Sequence, residues 1–160
     1  MDFFNQTGKL AIGSRLRMLT DKITVDAAAI YKMFGVDLKP KWFPVFFVLS
    51  RGEAKTITSI AKEIGHSHPS VSNIIKEMVA KGLVKETKDK SDGRRNMVML
   101  SAKGKRMSDS FSEQCIDVTA AIEQITQQTR NDLWEAIEEW ENLLLDKSLL
   151  DRKSTRLNSS

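Results

Sequence analysis

The chain is poor in the residues that staple, kink or coordinate. Of its 160 residues one is cysteine, two are histidine, three are proline and one is tyrosine. One cysteine cannot close an internal disulfide, which suits a reducing compartment. His66 and His68 lie two apart with no cysteine or third histidine nearby, too few ligands for a zinc site, so no metal is expected. No apolar run approaches the roughly 18 residues that a membrane-crossing helix requires, so no membrane partner is expected. No secretory apolar region follows Met1, so the expected location is cytoplasmic. No Ser-His-Asp set and no paired carboxylates stand out as a catalytic constellation. No closely spaced glycines form a cofactor-phosphate loop. The expectation is therefore no enzyme activity and no cofactor.

Charge is plentiful but unevenly placed. Residues 1–55 carry nine basic and five acidic side chains, residues 56–106 eleven and five, and residues 107–150 two and ten. The net +4 thus hides a basic middle and an acidic C-terminal region. A basic middle segment is an electrostatic footprint for phosphate. The last ten residues, DRKSTRLNSS, carry no helical period and look like a translated sequencing-library adapter. Residues 151–160 are accordingly set aside as a non-native tail. On that reading the natural chain can extend past Leu150.

Apolar residues at Ile12, Leu16, Leu19, Ile23, Ala27, Ile30 and Phe34 repeat by threes and fours, which predicts a long helix ended by Gly35. Gly8 and Gly13 leave its start open. Pro40 and Pro44 open the next helix, and Val45–Leu49 is apolar on every side, so this helix is expected to be buried. Tyr31, Trp42, Phe43 and Phe46 are candidates for the wall of a small-ligand pocket; core packing accounts for the same residues.

Ile57, Ile60, Ala61 and Ile64 mark a two-turn helix with Thr58 as its expected N-cap and Gly65 as its end. Ser67 then caps a second helix, with Pro69 in its first turn. Val71, Ile74, Ile75 and Met78 form its apolar face. His68, Ser70, Ser72, Asn73 and Lys76 form the other. That face is short-chained and polar at its N-terminal end, as a helix must be if that end is to approach base edges. Two β-compatible runs, Leu83–Thr87 and Met97–Leu100, flank a cation-rich loop with Asp92-Gly93 as a hairpin turn. Ser101 caps a further helix, basic at Lys103, Lys105 and Arg106. Its positions Phe111, Cys115, Val118, Ile122 and Ile125 form a heptad-like seam. Thr129 is expected to open the last helix, with Asp132 near its start. Leu133, Ile137, Trp140 and Leu144 form its stripe. Long apolar stripes at both chain ends point to a second copy of the chain. Cys115, with Glu113 and Asp117 nearby, is expected to have a raised pKa and to act as structural filler.

The order helix, helix, helix-turn-helix, β-wing, two long helices resembles the MarR family of winged-helix regulators. The carrying residues are Thr58-Ser59-Ile60-Ala61, Gly65 through Ser72, Gly82-Leu83-Val84 and Asp92-Gly93-Arg94-Arg95. The resemblance implies a mainly α fold with a small β-wing. The winged helix-turn-helix DNA-binding lobe would cover about 41–105, with dimerisation helices over about 8–35 and 106–150. It implies a homodimer on double-stranded DNA, with recognition helices in successive major grooves. It also implies a wing arginine in the minor groove, Arg94, steadied by Asp92. Family members often release DNA to a small-molecule effector. On this reading Ser70, Ser72, Asn73 and His68 touch base edges, with Asn73 able to pair bidentately with adenine, and Ser67 and Pro69 belong to the same DNA-binding end. Lys76, Arg95 and Lys103 neutralise phosphates. Trp42-Phe43-Pro44 and Gly35-Val36-Asp37-Leu38 look like a subgroup fused to a C-terminal GNAT-type acetyltransferase. The alternatives are therefore the regulatory half of such a fusion, or a winged-helix adaptor that no longer binds DNA.

Overall fold

The threes-and-fours spacing of the first long stripe becomes a helix in the computed structural model, which describes residues 2–88, 92 and 96–152. A short helix α1 (Asp2–Thr7) and a 3-10 turn at Gly8–Ala11 precede it, and α2 runs Ile12–Met33. Gly8 sits at φ +56°, which separates the two helices. Gly13 lies inside α2 without ending it. At the far end Gly35 takes φ +66° and donates its N–H to the Lys32 carbonyl at 3.1 Å. Val36 N–H donates to the Tyr31 carbonyl at 2.8 Å, and Val36 and Leu38 are buried beyond it.

The chain divides into two compact units, Met1–Ile116 and Asp117–Ser160. In the first, a 3-10 turn at Pro40–Trp42 leads into α3 (Phe43–Ser50). Its Val45, Phe46, Val48 and Leu49 are buried, whereas Phe43 and Phe47 are 38% and 39% exposed. The expected all-round burial of this helix therefore holds on one face only. Next come β1 (Lys55–Thr56), α4 (Ile57–Glu63), α5 (His68–Ala80), β2 (Val84–Lys88) and β3 (Asn96–Leu100). The sheet order is β1-β3-β2, antiparallel throughout, with Val84 opposite Leu100 and Lys55 opposite Val98.

That pairing corrects the expected cap. Thr56, not Thr58, caps α4: its hydroxyl accepts from the Ser59 N–H at 3.1 Å. Pairing with β3 holds Thr56 extended at ψ 155°, as an N-cap requires, whereas Thr58 is already helical. Ser67 caps α5, accepting from the Ser70 N–H at 3.4 Å, with Pro69 in the first turn.

Ser101 opens α6 (Ala102–Gln128), its hydroxyl accepting from the Gly104 N–H at 3.1 Å. One core joins these elements. Trp42, Phe46, Leu49, Ile60, Ile75, Met78, Leu83, Val98 and Phe111 are each under 2% exposed. Phe46 and Phe111 meet edge to face at 4.8 Å. Against this core α5 turns Val71, Ile74, Ile75 and Met78 inward.

The second unit holds the later turns of α6 and α7 (Leu133–Asp146). Asp132 caps α7: one carboxylate oxygen accepts from Trp134 N–H at 2.8 Å and Glu135 N–H at 3.1 Å. Thr129 does not open this helix as expected; its hydroxyl closes the preceding turn on the Thr126 carbonyl at 2.8 Å. No residue of α7 is buried. No helix among the described residues is long and apolar enough to cross a membrane.

Candidate nucleic-acid interface

The polar face of α5 stands clear of the core. Ser67, His68, Pro69, Ser70, Asn73 and Lys76 are exposed, and Ser72 is half-buried. The Ser67 cap and Pro69 fix the first turn, so short side chains lead and the long Lys76 follows a turn and a half later. On one flank, His68 shares an open groove of about 500 Å³ with Thr56, Ile57, Thr58 and Asn96. The root of the wing and the start of α5 thus share one surface. On the other flank, Ser70, Asn73 and Glu77 face Pro40, Lys41 and Pro44 across a groove of about 320 Å³. His66 and Ile74 complete that groove. His66 Nδ1 lies 2.8 Å from the Ile64 carbonyl, which can only accept, so that nitrogen carries the proton.

The centre of this second flank is Glu77, which was not among the residues expected to form the site. Glu77 gathers three donors: Lys41 Nζ at 2.6 Å, Trp42 Nε1 at 2.9 Å and Lys39 Nζ at 3.4 Å. Hydrogen bonds from Lys41 and then Trp42 pull its carboxyl down to about 2. A faint signal was present: Glu77 is the one acidic residue of α5, and Lys39, Lys41 and Trp42 cluster around Pro40. A second network ties α3 to α4: Arg51 and Lys55 reach Glu63 at 3.3 and 3.0 Å.

Lys103 has a structural task at the other end of α5. Its Nζ donates to the Lys81 carbonyl at 3.1 Å, at the C-cap. Ser101 Oγ donates to the Gly82 carbonyl at 2.6 Å, and Ser101 N–H to the Leu83 carbonyl at 2.9 Å. A cation there also complements the helix dipole. Gly104 lies so close that a Cβ would sit 2.2 Å from the Leu83 carbonyl oxygen.

Asp92 is half-buried in the wing; Gly93, Arg94 and Arg95, on which the minor-groove expectation falls, lie outside the described residues, as does the tail beyond Arg152.

Three of the four pocket candidates are core residues: Tyr31 is 3%, Trp42 1% and Phe46 0% exposed. Phe43 lies at the edge of the core, 5.8 Å from the Phe111 ring. Burial, and then the neighbouring Cys115 thiol, push the Tyr31 phenol up to about 12. Cys115 packs against the same core. Its thiol is pushed up by burial, not by the acidic neighbours that the sequence suggested.

Residues 36–95 match the MarR family. Three solved structures are similar over most of the chain. The transcriptional repressor CouR bound to a 23-mer DNA duplex is 20% identical at a TM-score of 0.64, covering 87% of this chain and 96% of its own. Reduced AbfR bound to DNA is 16% identical at 0.67, covering 91% and 98%. The PcaV regulator from Streptomyces coelicolor, in complex with its natural ligand, is 14% identical at 0.61, covering 85% and 92%. No curated protein matches the sequence.

Proposed function

We propose that this chain, a MarR-type DNA-binding transcriptional regulator, works as a cytoplasmic homodimer on a pseudo-palindromic operator. The observation that carries the reading is the exposed face of α5. Ser70 and Asn73 lead into the major groove, with His68 at the root of the wing and Lys76 positioned for a phosphate. Arg94, two residues after Asp92 in the sequence, reads minor-groove width, and Arg95 meets phosphate. Lys103 contributes by holding the C-terminal end of α5, and its charge adds to the phosphate attraction.

The dimer is supported by two uncovered stripes. On α2, Ile12, Leu16, Leu19 and Ile23 are each more than 40% exposed; on α7, so are Leu133, Trp134, Trp140 and Leu144. Patches of this extent are covered by partners in most proteins. Two recognition helices then read half-sites about one turn, or roughly 34 Å, apart.

Selection of bound sequences from a random duplex pool tests the reading, followed by gel shifts at two salt concentrations. The expected product is a two-fold symmetric site, and affinity should fall steeply with salt. Asn73→Ala should cost about 1–3 kcal/mol at one base position and relax the choice there. Salt-insensitive binding, or no enriched symmetric site, would sink the proposal.

A small effector is a further part of this reading, supported by PcaV, whose structure holds its natural ligand. Such a ligand must bind the free form better than the DNA-bound form to act as an inducer. The fusion to an acetyltransferase rests on Gly35–Leu38 and Trp42–Pro44 alone, and the source DNA beyond the codon for Leu150 tests it.

A further inference from the structure

The groove beside the recognition helix has a feature that base reading does not use. Ser70, Asn73 and Glu77 follow one another along α5 at helical spacing, and they form one rim. The opposite rim is the 3-10 turn at Pro40–Trp42. From it Lys39 and Lys41 reach across to Glu77, each with a side chain 55% exposed. The Trp42 ring is 1% exposed, so its indole N–H anchors the Glu77 carboxylate to the core. Two ammonium groups on one carboxylate leave a net positive charge at the groove mouth.

Resting on the DNA-binding reading above, we propose that Lys39 and Lys41 form a clamp for a backbone phosphate of duplex DNA, with Glu77 as its positioning residue. When the Ser70–Asn73 face enters a major groove, the phosphates that border the groove pass the rim that carries the lysines. Exposed ion pairs are weak, so each ammonium group is readily shared with an oncoming phosphate. The duplex presents one phosphate charge per about 1.7 Å, a far denser anion than one carboxylate. Glu77 remains held by Trp42 and keeps the two lysine stems extended towards the backbone. It also repels phosphates that arrive without the lysines in register, so it disfavours docking in the wrong orientation.

The test measures binding to a mixed-sequence duplex by fluorescence anisotropy over a series of KCl concentrations. It uses the full chain and the Lys39→Met/Lys41→Met and Glu77→Gln variants. The double lysine variant keeps the Trp42–Glu77 contact, so thermal unfolding should show it folded. Each neutralised phosphate contributes about 0.9 to the slope of log affinity against log salt, so losing one clamped phosphate should make this variant shallower by about 0.9 for each bound protomer. Glu77→Gln, which frees the two lysine stems from their anchor, should bind the mixed duplex more weakly with a slope shifted towards that of the double lysine variant, and Glu77→Asp should restore wild-type behaviour. A purely structural cluster would leave the slope untouched; an unchanged slope in the double lysine variant overturns the clamp. Wild-type protein that shows no salt-dependent binding to any duplex would overturn the DNA-binding reading itself, and the clamp with it.

Discussion

Helices α5 and α7 are near twins on paper. They have 13 and 14 residues, each begins at a polar N-cap, and each carries a clean apolar stripe. Yet α5 buries Val71, Ile74, Ile75 and Met78, while α7 buries nothing. Amphipathicity sets only that a helix has a face to cover; what covers it depends on the rest of the fold. For α5 the cover is α3, α4 and the sheet, a core built of the same chain. The stripe of α7, with Trp134 71% and Trp140 54% exposed, is left uncovered.

The sharpest way to break this contrast is to remove one large ring from each region. Phe46→Ala deletes a fully buried ring that meets Phe111, and should lower unfolding free energy by about 3–5 kcal/mol in chemical denaturation. Trp140→Ser should instead leave the lobe's fold intact and shift the monomer–dimer equilibrium in sedimentation experiments. Equal effects of the two changes on the concentration dependence of melting would erase the distinction.

Gly104→Ala asks how tightly the lobe is joined to the start of α6. Its Cβ would overlap the Leu83 carbonyl, which is backbone and cannot rotate away. Overpacking of this kind should cost about 1–3 kcal/mol, read as a lowered melting temperature. A neutral result would show that the first turn of α6 shifts freely over the end of α5.

The smallest effect is a matter of pH. The Glu77 carboxyl titrates at about 2 in the folded protein, below its ordinary 4.5. Its contribution is therefore present above pH 4.5 and is lost as pH falls towards 2. Glu77→Gln should flatten that part of the stability–pH curve, and a curve identical to wild type would show the cluster to be inert.

The legible parts of this fold are those set by neighbours in sequence. The helix pair was readable because Gly65, Ser67 and Pro69 punctuate it and because apolar residues recur within each turn. The long-range parts were not readable. Thr56 and Thr58 are equally good caps by residue type; pairing of Lys55–Thr56 with Met97 and Val98 decides between them. A two-residue strand leaves no alternation to detect. The Glu77 cluster joins residues 35 to 38 positions apart, so the lone acid of α5 and the lysines around Pro40 do not reveal that they pair. The bond from Lys103 to the Lys81 carbonyl was hidden because the two lie 22 residues apart. Of the pocket candidates, aromatic type could not separate a ligand wall from a core, and burial now places Tyr31, Trp42 and Phe46 in the core.

The join between α5 and α6 has a mechanical consequence. Three successive carbonyls, those of Lys81, Gly82 and Leu83, are gripped by Lys103 and Ser101, and Gly104 leaves no slack above them. Helix α5 and the opening turn of α6 are therefore joined like the two arms of a bell crank whose pivot is this turn. A rotation of that opening turn should therefore carry the C-terminal end of α5 with it.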